Sequence, residues 1–269
     1  MMRHSYEQGY TPANVIDASQ LDQHAVNGYM AKVFGWMFFG LLLTTLTTFG
    51  IVYGINVNEA FADFILRIQG IVWLVFIAQF AMVMAISARV TKMNPSTARL
   101  LYMVYAIING FTFGLFAVLY AAATEGGIHT LGMAFGISAV CFGIMAIYGM
   151  VTKSDLTRFG NLLWVGLIGL IIISVVNIFI GNGFIDFLIC VVGLFLFLGI
   201  TAHRTHMIKN YYAQIALSPE NTYVDEYGNT QQNALSSNLA IVGALMLYLA
   251  FINIFMFVLR LLGGGGSRR

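Results

Sequence analysis

Residues 161–202 read NLLWVGLIGLIIISVVNIFIGNGFIDFLICVVGLFLFLGITA, and this stretch decides the fold. It contains two continuous apolar runs, Asn161–Ile180 and Phe184–Ala202, separated by the turn sequence Gly181-Asn182-Gly183. Each run has about the 20 residues that an α-helix needs to cross the hydrocarbon core of a bilayer. Because the connection is so short, the two helices are predicted to pack as an antiparallel hairpin.

Five further apolar runs of similar length extend this pattern along the chain. They are Ala31–Ile55, Gly70–Ala88, Leu100–Ala123, Ile128–Val151 and Leu239–Leu262. The runs are continuous rather than alternating, and backbone groups in lipid must be satisfied within each span, so helices are predicted rather than strands. The predicted fold class is an all-α integral membrane protein with seven transmembrane helices.

The composition supports a membrane protein and excludes several functional classes. Charged residues make up 9% of the 269 residues, whereas soluble domains average about 25%. The net charge of +2 and the absence of a long basic run argue against nucleic acid binding. The sequence has no zinc-protease, serine-hydrolase or P-loop motif, and Cys141 and Cys190 lack the spacing of a metal site. We therefore predict no enzyme activity, no cofactor and no metal, with the lipid bilayer as the main partner.

The polar segments predict the domain organisation and the orientation. A polar tail at residues 1–28 precedes a membrane domain at 29–263, which contains a polar loop at 211–237, and a short tail follows at 264–269. The first 28 residues have no apolar segment of the signal-peptide kind, so no cleavable signal is predicted. With the N-terminus in the cytoplasm, the cytoplasmic side holds nine basic residues and the other side four. The positive-inside rule therefore predicts a cytoplasmic N-terminus and a periplasmic C-terminus. The nine are Arg3, Lys32, Arg89, Lys92, Arg99, Lys153, Arg158, Arg204 and Lys209.

Polar side chains within the apolar runs are the sharper functional signal, because they are costly in lipid. They are Gln79, Asn109, Ser174, Asn177, Asn253 and several threonines, with no Asp or Glu deep in a span. For Asn253 we weigh an interhelical hydrogen bond against pore lining and favour the hydrogen bond. His203 and His206 are three residues apart and could share a helix face as metal ligands, but no third ligand is evident nearby. An interfacial, polar helix end is the favoured interpretation for this histidine pair.

Two glycine pairs are further features of the apolar runs. Gly110 and Gly114, and likewise Gly132 and Gly136, have the spacing that allows two membrane helices to approach closely. Because such pairs are common in membrane helices, they indicate packing rather than function.

Three stretches resemble the Bax inhibitor 1 family, in the same order along the chain. They are Tyr29–Met37, then Tyr148–Leu156 with Phe159-Gly160-Asn161, and finally Ile241–Leu249 with Phe251–Phe255. The resemblance covers about residues 29–263 and is greatest to the bacterial, YccA-like branch. It implies seven helices with the last one central and surrounded by the other six, in the bacterial inner membrane. It also implies a pH-sensitive calcium leak, and a link to the membrane-anchored AAA protease FtsH as modulator or substrate.

The residues that carry the family's leak are changed in this chain. The family's gate consists of two aspartates on the sixth and seventh helices, and the matching positions here are Arg204 and Ala250. Calcium binds several oxygen ligands, usually including carboxylates, and neither residue supplies one. A unit positive charge about 6 Å from a divalent ion adds about 5 kcal/mol of repulsion at an effective dielectric constant of about 20. The usual pH gate is therefore not expected, although His203 and His206 could supply a substitute titration near neutral pH.

Two functional hypotheses follow from the resemblance and from these changes. The first is a calcium or cation leak that keeps the family pore, lined at positions 204, 250 and 253. The second is a non-conducting modulator of membrane-protease quality control and stress survival, with residues 1–27 and the loop Tyr211–Ser237 as contact surfaces. For both segments, a solvated tail and a solvated linker are the favoured interpretation. Family membership favours the first hypothesis, and the missing intramembrane acid favours the second.

Overall fold

The apolar runs form long helices in the computed structural model, which describes residues 23–68, 70, 72–89, 94–123, 126–152, 154–217 and 232–263. We number the α-helices of this part of the chain in order. They are α1 Gln23–Val57, α2 Glu59–Ile68, α3 Val72–Arg89, α4 Pro95–Ala123, α5 Gly127–Val151, α6 Gly160–Ile180, α7 Gly183–Leu217 and α8 Gln232–Gly263. A short 3-10 helix, Leu156–Phe159, leads into α6. The all-helical class is confirmed for these residues.

Six of these helices are long and apolar enough to cross a membrane: α1, α4, α5, α6, α7 and α8. They correspond to six of the seven predicted spans. The remaining predicted span, Gly70–Ala88, coincides with α3, whose apolar segment over the described residues is Ile77–Ile86. The described segment alone is too short to be counted among the six, and the span Gly70–Ala88 stays a prediction.

The last helix is the most buried element of the described structure. Of the 18 consecutive residues of α8 that are most apolar, 61% are buried. The corresponding share is at most 39% in each of the other five spans. It packs against α1, α4, α5 and α7. Leu245, Leu247, Tyr248 and Ile254 are almost completely buried, so the centre of the hydrophobic core lies along this helix. Such burial requires a helix that is apolar on all faces, which the sequence of α8 provides.

The first glycine pair marks a close helix crossing. A Cβ atom on Gly110 would lie 2.6 Å from the carbonyl oxygen of Thr44, and one on Gly114 would lie 2.7 Å from Ile51 Cβ. Helices α1 and α4 therefore approach along these glycines, as the spacing predicts. Gly132 and Gly136 differ, because a Cβ at either position would meet nothing within 4 Å.

The predicted α6–α7 hairpin is present, and its turn is built as the sequence indicates. Gly181 has a φ of +67°, a backbone conformation that glycine adopts without a steric penalty. The side-chain oxygen of Asn182 accepts hydrogen bonds from the backbone N–H groups of Phe184 and Ile185, which caps the start of α7. Helices α6 and α7 pack against each other beyond this turn.

Two regions differ from the sequence prediction. Helix α2 lies between the predicted runs Ala31–Ile55 and Gly70–Ala88, in a segment for which the sequence predicts no helix. Asn58 caps this helix, Ile65 is buried, and the charged residues share the opposite face. The helix is too short to register as an apolar run. Helix α7 extends to Leu217 and α8 begins at Gln232, so both ends of the predicted loop 211–237 are helical. The α7 helix ends shortly before Pro219, which disfavours helical backbone in the residue preceding it.

Candidate functional site

The second half of α7 carries four basic side chains within two turns, and these point towards different neighbours. His203 Nδ1 lies 2.9 Å from the carbonyl oxygen of Leu156, in the segment between α5 and α6. Because a carbonyl oxygen only accepts, the histidine donates and its Nδ1 carries the proton. Lys209 donates from Nζ to the carbonyl oxygen of Met150 at 2.8 Å, at the C-terminal end of α5. Carbonyl groups there lack helical partners and attract cations.

The second histidine has a partner within its own helix. His206 is buried, with 7% of its surface exposed, and its Nε2 lies 3.0 Å from the side-chain nitrogen of Asn210. An amide nitrogen only donates, so Nε2 accepts and the imidazole of His206 is neutral in this arrangement. The two histidines therefore have separate partners. The described residues also contain no group of three or more His, Cys, Asp or Glu side chains that could hold a metal ion.

Arg204 extends towards α8, which carries Ala250, the second position that the family resemblance assigns to the gate. Its Nη1 is 3.8 Å from the sulfur of Met246, and Ala250 is buried one helical turn further along α8. The structure thus brings positions 204 and 250 to the same helix–helix interface. Over the described ranges, no carboxylate lies within 4 Å of the Arg204 guanidinium.

Asp155, the one described acid at this end of the bundle, is paired with a residue other than Arg204. Asp155 pairs with Arg158 at 3.4 Å, and its carboxylate accepts hydrogen bonds from the hydroxyl and backbone N–H of Thr157. These hydrogen bonds, followed by the Arg158 charge, hold the pKa of Asp155 below its usual value. Asp155 is therefore ionised near neutral pH but does not neutralise Arg204.

Asn253, the third predicted pore position, bonds within its own helix. Its side-chain nitrogen donates to the carbonyl oxygen of Leu249 at 2.8 Å. This contact lies within α8, because the carbonyl one turn earlier is within reach of a short amide side chain. The interhelical hydrogen bond favoured from the sequence stays a prediction, since the amide nitrogen has a second N–H and the amide oxygen can accept.

A buried hydroxyl network was not singled out by the sequence analysis. The hydroxyl groups of Thr44 and Tyr248 are 2.8 Å apart, and the Thr44 hydroxyl also lies 2.9 Å from the carbonyl oxygen of Gly40 and 3.0 Å from that of Ala106. The rings of Tyr102 and Tyr105 pack edge-on against Tyr248. These contacts join α1, α4 and α8. The sequence feature that could have indicated this network is Tyr248, which lies in the middle of the last apolar run.

The opposite end of the bundle contains a second polar site. Asp186 at the start of α7 and Arg260 near the end of α8 form an ion pair, with 46% and 43% of their side chains exposed. Together with Ser174, Asn177 and Asn182 they line an open cleft between α6, α7 and α8. This ion pair joins the ends of α7 and α8 that are far from Arg204.

The long apolar helices define a multi-pass helical membrane protein, and its relatives specify the family. The family model described as "Inhibitor of apoptosis-promoting Bax1" matches residues 26–267. The chain therefore belongs to the Bax inhibitor 1 family, as the three sequence stretches indicated.

Curated relatives match over most of their length. The chain is 33% identical to "Inner membrane protein YbhL" of Escherichia coli over 235 residues, which is 87% of this chain and 91% of the relative. It is 34% identical to an uncharacterised protein of Deinococcus radiodurans, covering 92% and 93% of the two chains. An uncharacterised protein of Borreliella burgdorferi is 32% identical, over 93% and 98%. The narrower, YccA-like assignment stays a prediction.

Proposed function

We propose that the chain is an inner-membrane protein with seven spans, in which α3 is the second span and α8 is the central helix. The name of the Escherichia coli relative supports the location. The 18 apolar-rich residues of α3 support the count of seven. The burial of α8 and its contacts with α1, α4, α5 and α7 support the central position. The surplus of basic residues at the end that holds the N-terminus supports a cytoplasmic N-terminus and a periplasmic C-terminus.

The orientation is tested by labelling single cysteines in a background that lacks Cys141 and Cys190. Asp63 and Arg158 are exposed and lie at opposite ends of the bundle. In intact spheroplasts, a membrane-impermeant maleimide should label an Asp63→Cys variant. An Arg158→Cys variant should react only after the membrane is permeabilised. The reverse labelling pattern would show that the N-terminus faces the periplasm.

We infer that this family member does not conduct calcium through the usual aspartate gate, and that it acts as a non-conducting modulator of a membrane-anchored AAA protease such as FtsH. One observation supports this inference: the Arg204 guanidinium contacts α8 one turn from Ala250, with no described carboxylate within 4 Å. A calcium ion at this interface would lack acidic ligands and would be repelled by the guanidinium. The modulator role requires no acid pair, and the contact surfaces proposed for it are residues 1–27 and 211–237.

A leak remains the alternative, because it is the function that the family resemblance implies. In that case His203 and His206 would have to replace the aspartates as titrating groups. The hydrogen bond from His203 to Leu156 directs that ring towards the α5–α6 connection rather than towards α8. This geometry favours the non-conducting role over a histidine gate.

Calcium flux into liposomes separates the two functions. At pH values of about 6, 7 and 8, which bracket the titration of an imidazole, wild-type protein should give no flux above that of empty liposomes. An Arg204→Asp/Ala250→Asp variant restores a carboxylate pair with coupled pKa values and should gain a pH-dependent flux. Arg158→Asp changes an exposed charge at the same end and serves as the matched control.

The results of the flux measurement distinguish a calcium leak from a non-conducting modulator. A silent wild type together with a conducting double variant supports a pore that has lost its gate residues. Co-purification of the wild type with the membrane protease, weakened by deletion of residues 1–22, then measures the modulator role. A wild type that already conducts calcium contradicts the electrostatic argument, and His203 and His206 become the residues to replace.

A further inference from the structure

The Arg204 guanidinium has more hydrogen-bonding capacity than the described structure uses. It offers five N–H donors and a fixed positive charge, and the contact found for it is the weakly accepting sulfur of Met246. The side chain is also partly buried. A partly buried charge without a counter-charge is unfavourable, so a membrane arginine in this position requires an anionic partner.

The depth of Arg204 can be measured from the ion pair at the opposite end. Along α7, Asp186 and Arg204 are separated by about 27 Å of helix at 1.5 Å per residue. Along α8, Arg260 and Met246 are separated by about 21 Å, and the Met246 side chain leans further in the same direction, towards the start of its helix. By the same rule the Arg204 side chain leans back towards the start of α7, so its guanidinium lies between these two levels, in the last several ångströms of a hydrocarbon core about 30 Å thick.

The aromatic residues near Arg204 indicate the same boundary. Tyr211 is exposed two turns further along α7, and Tyr212 stacks on Tyr29 of α1 with ring centroids 4.1 Å apart. Tyrosine is enriched at the level of the headgroups, where its ring is in contact with lipid and its hydroxyl with water. The boundary therefore falls in this part of α7.

The described side chains at this end do not supply the missing anion. Asp155 is the one acid there within the described ranges, and it is paired with Arg158. The neighbouring basic groups are engaged with neutral partners: Lys209 with the Met150 carbonyl and His203 with that of Leu156. An external anion at headgroup depth is then the fitting partner for Arg204.

We propose that Arg204 binds the phosphate group of an anionic phospholipid at the interface of α7 and α8. A planar guanidinium can donate two parallel hydrogen bonds to phosphate oxygens, which a lysine ammonium cannot do with the same geometry. The acyl chains would lie along the exposed apolar surface of the bundle, as lipid does elsewhere around it.

Full-length protein in nanodiscs tests this site. Melting temperatures are compared between pure phosphatidylcholine and a mixture with phosphatidylglycerol, for wild type, Arg204→Gln, Arg204→Lys and Arg158→Gln. Phosphatidylglycerol should raise the melting temperature of the wild type and of Arg158→Gln, a control that removes an exposed charge at the same end. Arg204→Gln should lose most of that rise, and Arg204→Lys should keep part of it. In native mass spectrometry, Arg204→Gln should retain phosphatidylglycerol about tenfold less than wild type.

Three results would overturn the proposal. One is an equal phosphatidylglycerol effect in wild type and Arg204→Gln, which would assign the lipid effect to other groups. Another is an equal loss of stability for Arg204→Gln in both lipids, which would assign the partner to a carboxylate of the chain itself. The last is full stabilisation of detergent-solubilised wild type by inorganic phosphate alone, which would make the site a free-anion site.

Discussion

Replacement of Tyr248 by alanine is expected to lower the free energy of unfolding by about 3–5 kcal/mol, the range for truncating a large buried side chain. Tyr248 has 0% of its surface exposed and lies between the rings of Tyr102 and Tyr105. Its removal leaves a cavity at the centre of the bundle and deprives the Thr44 hydroxyl of one partner. Thermal or denaturant unfolding of purified protein in detergent micelles measures the loss.

Two matched variants separate the contributions to this effect. Tyr248→Phe keeps the ring and removes the hydroxyl, so it should cost only about 0.5–1.5 kcal/mol. Tyr53→Ala truncates the same side chain at an exposed position of α1 and should change stability by about 0.5 kcal/mol or less. If Tyr248→Ala were no more damaging than Tyr53→Ala, α8 would not be the centre of the core.

Replacement of Gly110 by alanine is expected to destabilise the protein by about 1–3 kcal/mol, the usual range for overpacking. The added Cβ would lie 2.6 Å from the backbone oxygen of Thr44, which cannot rotate away as a side chain can. Helices α1 and α4 would therefore have to move apart. Unfolding in the same micelles gives the comparison with wild type.

Gly136→Ala is the control for that crossing. Its Cβ would meet nothing within 4 Å, and in a helix interior alanine is favoured over glycine by about 1 kcal/mol. Gly136→Ala should therefore be neutral or slightly stabilising, whereas Gly110→Ala should lose stability. Equal effects at the two positions would mean that α1 and α4 do not approach closely at Gly110.

The sequence alone predicts those helices and turns that are determined by the residues within them. The run of residues 161–202 predicts two apolar helices and the glycine turn between them, and the structure contains both with a capped turn. It was insufficient for α2, whose ten residues are stabilised by contacts with α1. The sequence also predicts that the run Phe184–Ala202 ends at Ala202, because charged residues follow. In the structure α7 continues to Leu217, and those same charged residues make tertiary contacts.

The same distinction applies to the candidate site. The resemblance to the family identified positions 204 and 250, and the structure places the Arg204 guanidinium against Met246, one helical turn from Ala250 on α8. Spacing could not show that His203 and Lys209 bond to the α5–α6 connection and the end of α5, because these partners are about 47 and 59 residues away in the chain. The Thr44–Tyr248 network joins residues still further apart. Such contacts arise only from the packing of whole helices.

The ion pair between Asp186 and Arg260 gives the α7–α8 pair a mechanical asymmetry. At one end the two helices are joined covalently by residues 218–231, and at the other a half-exposed charge pair connects them. Counter-ions screen an exposed pair, since the Debye length is about 8 Å at physiological salt, but they leave a peptide connection unchanged. The ionic strength on that side of the membrane therefore acts on the contact between Asp186 and Arg260, whereas it leaves the covalent connection of the other two ends intact.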